Sequence, residues 1–280
     1  MSMQDKTSSD TSSKTQKPNL LRRLDIRFPW LKLLGVAAIG FFIVLDLLDV
    51  TVSMAGDPYD KIRIAPMSVH VRVSERTLEG KKLIALTFDD GPSASTTPRL
   101  LDLLYEKDVP VTFFVLGNMA RNNPDIIRRA EKEGHVVASH TMYHQNLVRI
   151  SASAVRADIE EATTVITGIL GHPPAFTRPP YGNINDAVRA TVGTPMILWS
   201  VDTRDWDNKN TEAIIANALD QSYDGGIILM HDVYPTSVDA VPTLIDTMRN
   251  AGYEFVTIPE LIEIRNVSPE AGVGYYYFRP

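Results

Sequence analysis

The sequence predicts an α/β fold, a largely parallel sheet with helical crossovers that is either open or closed into a barrel. Three observations carry that expectation. From Leu83 onward, short apolar runs alternate with stretches of helical periodicity. The first run, Leu83–Leu86, is apolar without alternation, the pattern of a strand covered on both faces. Helix stops fall in register with the pattern, at Gly134, Gly171 and Gly252. Strands are expected at 82–88, 111–116, 135–139, 174–178, 195–201, 226–230 and 254–257, a set one strand short of the eightfold barrel. Helices are expected at 97–107, 124–133, 153–170, 185–191, 211–222, 237–251 and 259–265. The tail 266–280 follows no period and either packs as an edge strand or lies loose.

The chain has 280 residues, enough for one large α/β domain or two small ones. Its net charge of −6, with no basic stripe, argues against a nucleic-acid partner. There is no cysteine, which excludes disulfides, thiolate metal sites and a thiol nucleophile.

The N-terminal part predicts a location. Residues 1–29 read as a disordered basic tail, closing with Arg22, Arg23 and Arg27, and an apolar run follows from Leu33 to Leu45. Basic residues ahead of such a run predict a cytoplasmic N-terminus with the remainder translocated. Residues 30–50 therefore read as a transmembrane signal-anchor, single-pass, with the folded domain on the extracytoplasmic side. A cleaved signal peptide, with Ser53-Met54-Ala55 as the cleavage site, is the rival and would give a secreted protein. A buried amphipathic helix is the third reading. Residues 51–80 read as a stalk, with one alternating piece at Val69–Val73.

The chemistry gathers at strand ends. The first strand breaks on Asp89-Asp90, and Gly91-Pro92 stops it. Side chains of a strand alternate between faces, so neighbouring carboxylates share a pocket only where the backbone turns. His140 and His144 follow the third strand; on a helical turn that spacing puts both imidazoles on one face, and with a carboxylate they make a three-ligand metal set with open positions. Arg178-Pro179-Pro180-Tyr181 follows the fourth strand: the prolines stiffen the loop, and an arginine there can hold a carboxylate. Asp202, Asp205 and Trp206 follow the fifth, acids beside a ring that suit a sugar site. Leu229-Met230-His231-Asp232 closes the sixth, and a histidine at that edge is a candidate acid or base. Each piece alone has an ordinary structural explanation. Together they occupy C-terminal strand ends, where parallel α/β sheets bind ligands.

In this order, Thr87-Phe88-Asp89-Asp90-Gly91, His140-Thr141-x-x-His144, Arg178-x-Pro180-Tyr181, Asp202-x-x-Asp205-Trp206 and Leu229-x-His231 resemble the motifs of the polysaccharide deacetylases, the carbohydrate esterase family 4 or NodB-homology proteins. The resemblance covers about residues 81–265 and implies a distorted (β/α)7 barrel. It implies that Asp90, His140 and His144 bind a divalent metal, zinc first, with cobalt or nickel as substitutes. It further implies Asp89 as general base oriented by Arg178, the Tyr181 N–H as oxyanion donor, and His231 as general acid tuned by Asp205. Trp206 and Leu229 would wall an acetyl pocket. The activity implied is N-deacetylation of N-acetylhexosamine units in a cell-wall polysaccharide, peptidoglycan first. An O-deacetylase of acetyl-xylan or exopolysaccharide and a catalytically silent wall-binding module are the alternatives.

Overall fold

The computed structural model describes Leu78 and residues 80–280. The expected tail 1–29, the anchor 30–50, the cleavage site and the strand at 69–73 lie outside the described residues, as does nearly all of the stalk. Among the described residues no helix is long and apolar enough to cross a membrane.

The fold is α/β with a mostly parallel sheet. In chain order the strands are β1 (Lys82–Asp89), β2 (Thr112–Val115), β3 (Val136–Ser139), β4 (Met196–Ile197), β5 (Val201–Asp202), β6 (Gly226–His231), β7 (Tyr253–Phe255) and β8 (Gly274–Tyr275). The helices are α1 (Thr97–Lys107), α2 (Gly117–Asn122), α3 (Pro124–Lys132), α4 (Ala152–Leu170), α5 (Asp186–Thr191), α6 (Asp205–Asn208), α7 (Thr211–Gln221), α8 (Pro235–Asn250) and α9 (Ile258–Ile264).

The sheet runs β3-β2-β1-β6-β5, all parallel, and β7 pairs with the first residues of β1 beside the point where β2 takes over. Beyond β3 the pairing thins to single bridges. Thr177 pairs with Ser139 on one side and Met196 on the other, so the expected strand 174–178 shrinks to one bridging residue. The expected strand 195–201 splits into β4 and β5, with Leu198–Ser200 between. Pairing thus runs in a circuit from β1 through β2, β3, Thr177 and the 196–202 stretch to β6 and back to β1. The physical reason for the thin arc lies in the sequence: Pro173, Pro174, Pro179, Pro180 and Pro195 lack the N–H that a longer ladder needs.

The period of two in β1 feeds two cores. Ile84, Leu86 and Phe88 pack outward with α1 (Leu100, Leu101, Leu104) and α8 (Leu244, Ile245, Met248). Leu83 and Ala85 pack the other way, with Phe114, Ala138, Phe176, Ile197 and Ile227. This is why β1 carries no apolar alternation: seven of its eight residues are buried. The inner rows continue to the C-terminal ends of the strands, from Ala85 to Thr87 and Asp89, from Ile227 to Leu229 and His231, from Ala138 to His140, and from Phe176 to Arg178. One parity rule therefore delivers the polar residues to one end of the inner core.

The tail packs as an edge. Gly274–Tyr275 pairs parallel with β4, and Tyr277 bridges Gly226. Phe278 donates its N–H to the Gly225 carbonyl at 2.8 Å. Gly225 has φ +88, and a Cβ there would lie 2.0 Å from the Phe278 oxygen. Gly225→Ala is expected to cost more than about 1 kcal/mol, because it meets a left-handed backbone and a docked chain together. Urea unfolding measures it; an unchanged midpoint would mean that the tail gives way freely.

Candidate metal and acid–base site

β1 ends on Asp89, and Asp90 turns off it with φ 75, a left-handed conformation that brings its side chain round to the same pocket. In the β1–β6 register Asp89 stands opposite His231. The sequence places the two acids together, and the structure shows that it is the backbone reversal at Asp90 that does so.

His140 continues β3. Its Nδ1 lies 2.7 Å from the Arg178 carbonyl and donates to it, which turns the Nε2 lone pair toward Asp90. Burial lowers its pKa to about 3, against the pull of the Asp90 charge, so the ring is neutral, as a metal ligand must be. His144 does not reach the site on a helical turn, as its spacing suggests. Residues 140–144 form an irregular loop with Thr141 at φ 73 and His144 at φ 57, and the two imidazoles meet edge to face with centroids 5.1 Å apart.

Asp90 Oδ1 lies 3.5 Å from His140 Nε2 and 3.4 Å from His144 Nε2. That oxygen is buried and has no hydrogen-bond partner among the described residues. A carboxylate oxygen and two imidazole nitrogens, all within 4.8 Å of one another, fit a divalent cation. Two bonds of about 2.0–2.1 Å at a tetrahedral angle hold their ligand atoms about 3.3 Å apart. Without a cation, the orphaned Asp90 oxygen would be an uncompensated buried acceptor.

Asp89 is buried beside this set, its Oδ2 3.6 Å from His140 Nε2. Its Oδ1 accepts from Arg178 Nη1 at 2.6 Å. Burial raises its pKa, while Arg178 and then His231 favour the anion. Arg178 is itself fully buried. Its Nε donates to the Ile197 carbonyl at 2.9 Å, its Nη2 to the Leu198 carbonyl at 3.0 Å and its Nη1 to Thr87 Oγ1 at 2.9 Å. The guanidinium lies 3.9 Å from the Phe114 ring centroid.

Opposite, His231 Nδ1 lies 2.8 Å from Asp205 Oδ1 and points its Nε2 into the site, 4.0 Å from Asp90 Oδ2. Asp205 is fully buried on α6 and accepts from the His231 N–H (2.7 Å) and Ser237 Oγ (2.6 Å) on α8. Burial works against charge on His231, but the Asp205 hydrogen bond and the charges of Asp205, Asp89 and Asp90 raise its pKa to about 9. Of the two acids after the fifth strand, Asp205 reaches the imidazole; Asp202 accepts from the Arg204 N–H instead.

Tyr181 sits in a 3₁₀ turn, Pro180–Gly182, with φ 62, and its exposed ring stands 4.8 Å from that of His144. Trp206 is half exposed, on the α6 helix that carries Asp205. Leu229 is buried, and its carbonyl accepts from Thr203 Oγ1 at 2.8 Å.

Sequence reasoning gave no role to Thr87, Ser237 or Asp232. The first two hold Arg178 and Asp205 in place. Asp232 is buried against Gly91, in the turn that follows β1, and accepts from Thr97 Oγ1. A Cβ on residue 91 would lie 2.1 Å from its Oδ2, so residue 91 must be glycine to let the acid approach. Burial raises the Asp232 pKa to about 7. The signal that could have found it is a second acid at a buried strand end, directly after His231.

Comparison with known proteins bears on the same residues. The family model "Polysaccharide deacetylase" matches residues 77–194. The chain is 41% identical over 199 residues to the peptidoglycan-N-acetylglucosamine deacetylase PgdA of Listeria monocytogenes, covering 71% of this chain and 42% of that protein. It thus spans about two-fifths of the length of the first curated relatives it matches. A peptidoglycan-N-acetylglucosamine deacetylase of Bacillus cereus is 39% identical, over 65% of this chain and 69% of the relative. The family 4 acetyl xylan esterase of Clostridium thermocellum, solved in complex with a cobalt ion, superposes with a TM-score of 0.67 at 32% identity, covering 70% of this chain and 98% of the other.

Removing the guanidinium alone, as in Arg178→Met, is expected to destabilise the metal-free protein by about 3–5 kcal/mol, because Asp89 becomes an unpaired buried charge. The pKa of folded Asp89 already lies above its ordinary value of 3.8 and rises further in the variant. The deficit is therefore full above the variant's folded Asp89 pKa, fades as pH falls through it, and is lost once pH is below the wild-type folded pKa, where both chains hold the acid protonated. Urea unfolding at several pH values checks this; a deficit independent of pH would contradict it.

Proposed function

The chain belongs to the polysaccharide deacetylase family, and on that premise we propose that it is a metal-dependent hydrolase that removes N-acetyl groups from N-acetylhexosamine units of a cell-wall polysaccharide, with peptidoglycan N-acetylglucosamine as the substrate. The observation that carries this reading is the convergence on one pocket of a three-ligand set, an arginine-held carboxylate and a carboxylate-held imidazole. We read the pairing circuit as the family's distorted (β/α)7 barrel, with this pocket at its C-terminal mouth.

Asp90, His140 and His144 would hold the cation, zinc in this reading. When bound there, a divalent cation supplies Lewis acidity that activates water near neutral pH and polarises a carbonyl. Asp89, kept anionic and aimed by Arg178, takes the proton from the attacking water. The Tyr181 N–H donates to the oxygen on which negative charge develops; loss of one such donor typically costs about 3–4 kcal/mol of barrier. His231, protonated through Asp205, delivers its Nε2 proton to the leaving nitrogen as the carbon–nitrogen bond breaks. The products are acetate and a free amine on the sugar. Separation of roles follows from environment: one partner favours an anion on Asp89, the other a cation on His231. Leu229 and Trp206 wall the acetyl pocket.

The charge pattern around residues 30–50 supports an extracytoplasmic catalytic domain, held at the membrane by that segment or released if it is cleaved.

Acetate release from peptidoglycan, N-acetylglucosamine oligomers and acetyl-xylan tests the assignment. Peptidoglycan and the oligomers are expected to yield acetate, a strong chelator to stop it and zinc to restore it, with Asp89→Asn lowering kcat at least about 100-fold. Release from acetyl-xylan alone would move the reading to an O-deacetylase; none from any substrate would remove both.

The pH profile tests the His231 role. Activity is expected to fall as pH rises through the His231 pKa, which the Asp205 hydrogen bond and charge hold above the ordinary imidazole value. Asp205→Asn removes the negative charge beside the imidazolium, so the alkaline limb moves to lower pH. A limb that stays in place would exclude His231 as the acid.

A further inference from the structure

We infer that Asp158, a buried acid on α4, is a positioning residue for the metal set: its carboxylate fixes the loop that holds His144 against His140 and Asp90. The inference rests on reading Asp90, His140 and His144 as the ligands.

The two imidazoles are held in different ways. His140 is fixed at both ends, by its N–H on the Val115 carbonyl (2.8 Å) and its Nδ1 on the Arg178 carbonyl (2.7 Å). The His144 ring is in contact with Asp90, His140 and Tyr181, all within the pocket itself. Its place depends on the backbone of residues 141–144, and that backbone takes left-handed conformations at Thr141 (φ 73) and His144 (φ 57), which side chains with a Cβ disfavour. Such a conformation persists only where the surroundings over-determine it.

α2 and α4 do so from two sides. At the start of α2, Gly117 donates its N–H to the Thr141 carbonyl (2.9 Å) and Asn118 to the Met142 carbonyl (3.2 Å). The Met142 side chain is fully buried, its sulfur so close to Gly117 that a Cβ there would lie 2.5 Å away. From α4, Asp158 Oδ1 accepts the Met142 N–H at 2.7 Å, and the Tyr143 N–H also stabilises this carboxylate. One helical turn on, Glu161 accepts from the Tyr143 hydroxyl at 3.1 Å and pairs with Arg121 of α2 at 2.6 Å. The carbonyls of Thr141 and Met142 are thus satisfied by α2 and the Met142 N–H by Asp158. Without that acceptor, the buried Met142 N–H has lost its partner and the loop has reason to turn toward water.

The test is zinc affinity, measured on the full-length chain stripped of metal and titrated with zinc against a chromogenic chelator, with the cobalt(II) absorption spectrum as a second readout of ligand geometry. Asp158→Ala is expected to weaken zinc binding about 10–100-fold and to alter the cobalt bands. Asp158→Asn, which keeps the Oδ1 acceptor, is expected to bind close to wild type. Asp158→Leu fills the same space without accepting and serves where the alanine variant does not fold. Wild-type zinc affinity in a folded Ala or Leu variant would overturn the inference while leaving the metal site standing. An Asn variant as weak as the Ala variant would also overturn it. Failure of the wild-type chain to bind zinc or cobalt would instead remove the ligand reading on which it depends.

Discussion

One buried guanidinium ties the fold to the site. The thin arc of the pairing circuit, where Thr177 bridges Ser139 and Met196, has little ladder of its own. Arg178, the next residue, supplies what the ladder lacks by donating to the carbonyls of Ile197 and Leu198, where β4 gives out. A charge taken that far from water must be paired. Its partner is Asp89, at the end of the central strand, so closure of the circuit and the anion at the pocket floor are secured by the same side chain. Thr87 completes the arrangement: its Oγ1 accepts from Arg178 and donates to the Ile228 carbonyl at 2.6 Å, linking β1, β6 and the arginine.

From that constraint follows the division of labour among closely placed acids. Asp89, Asp90, Asp205 and Asp232 would repel one another if all were equally ionised and equally solvated. Each instead has a different partner: Arg178 for Asp89, the imidazoles of His140 and His144 for Asp90, and His231 with Ser237 for Asp205. Asp232 has the Thr97 hydroxyl and a pKa raised to about 7 by burial. The pocket is thus assembled so that the arginine-held Asp89 and the carboxylate-held His231 face each other across Asp90, His140 and His144. That is the polarity a reaction needs when it takes a proton from water on one side and gives one to a leaving amine on the other.

Much of this was legible in the chain, for identifiable reasons. The strands 82–88 and 226–230 are read correctly because burial on both faces leaves an unbroken apolar run. The helices near 97–107 and 153–170 are read correctly because a 3.6-residue period and clear stops mark them. The short helices Gly117–Asn122 and Asp205–Asn208 escape notice: each is too brief to show a period, and each is held by what it touches. The stretch 174–178 reads as a strand because Ala175 and Phe176 make a short apolar run; the prolines in and around it leave it too few donors to be one. His140 and His144 were found by spacing, although the backbone that joins them is not the helical turn the spacing implies.

The sequence by itself determined which side chains are available and that strands deliver them to one end, since period-two alternation is a local property of the backbone and places Thr87 with Asp89 and Leu229 with His231. It also carried the motif series by which the family is recognised. Only the tertiary structure decided which groups meet. That Ser237 reaches Asp205, that Asp232 lies against Gly91, and that Asp158 accepts from the loop between the histidines all depend on contacts between elements far apart in the chain. Burial and hydrogen-bond partners are set by packing, and no local pattern of residues encodes them.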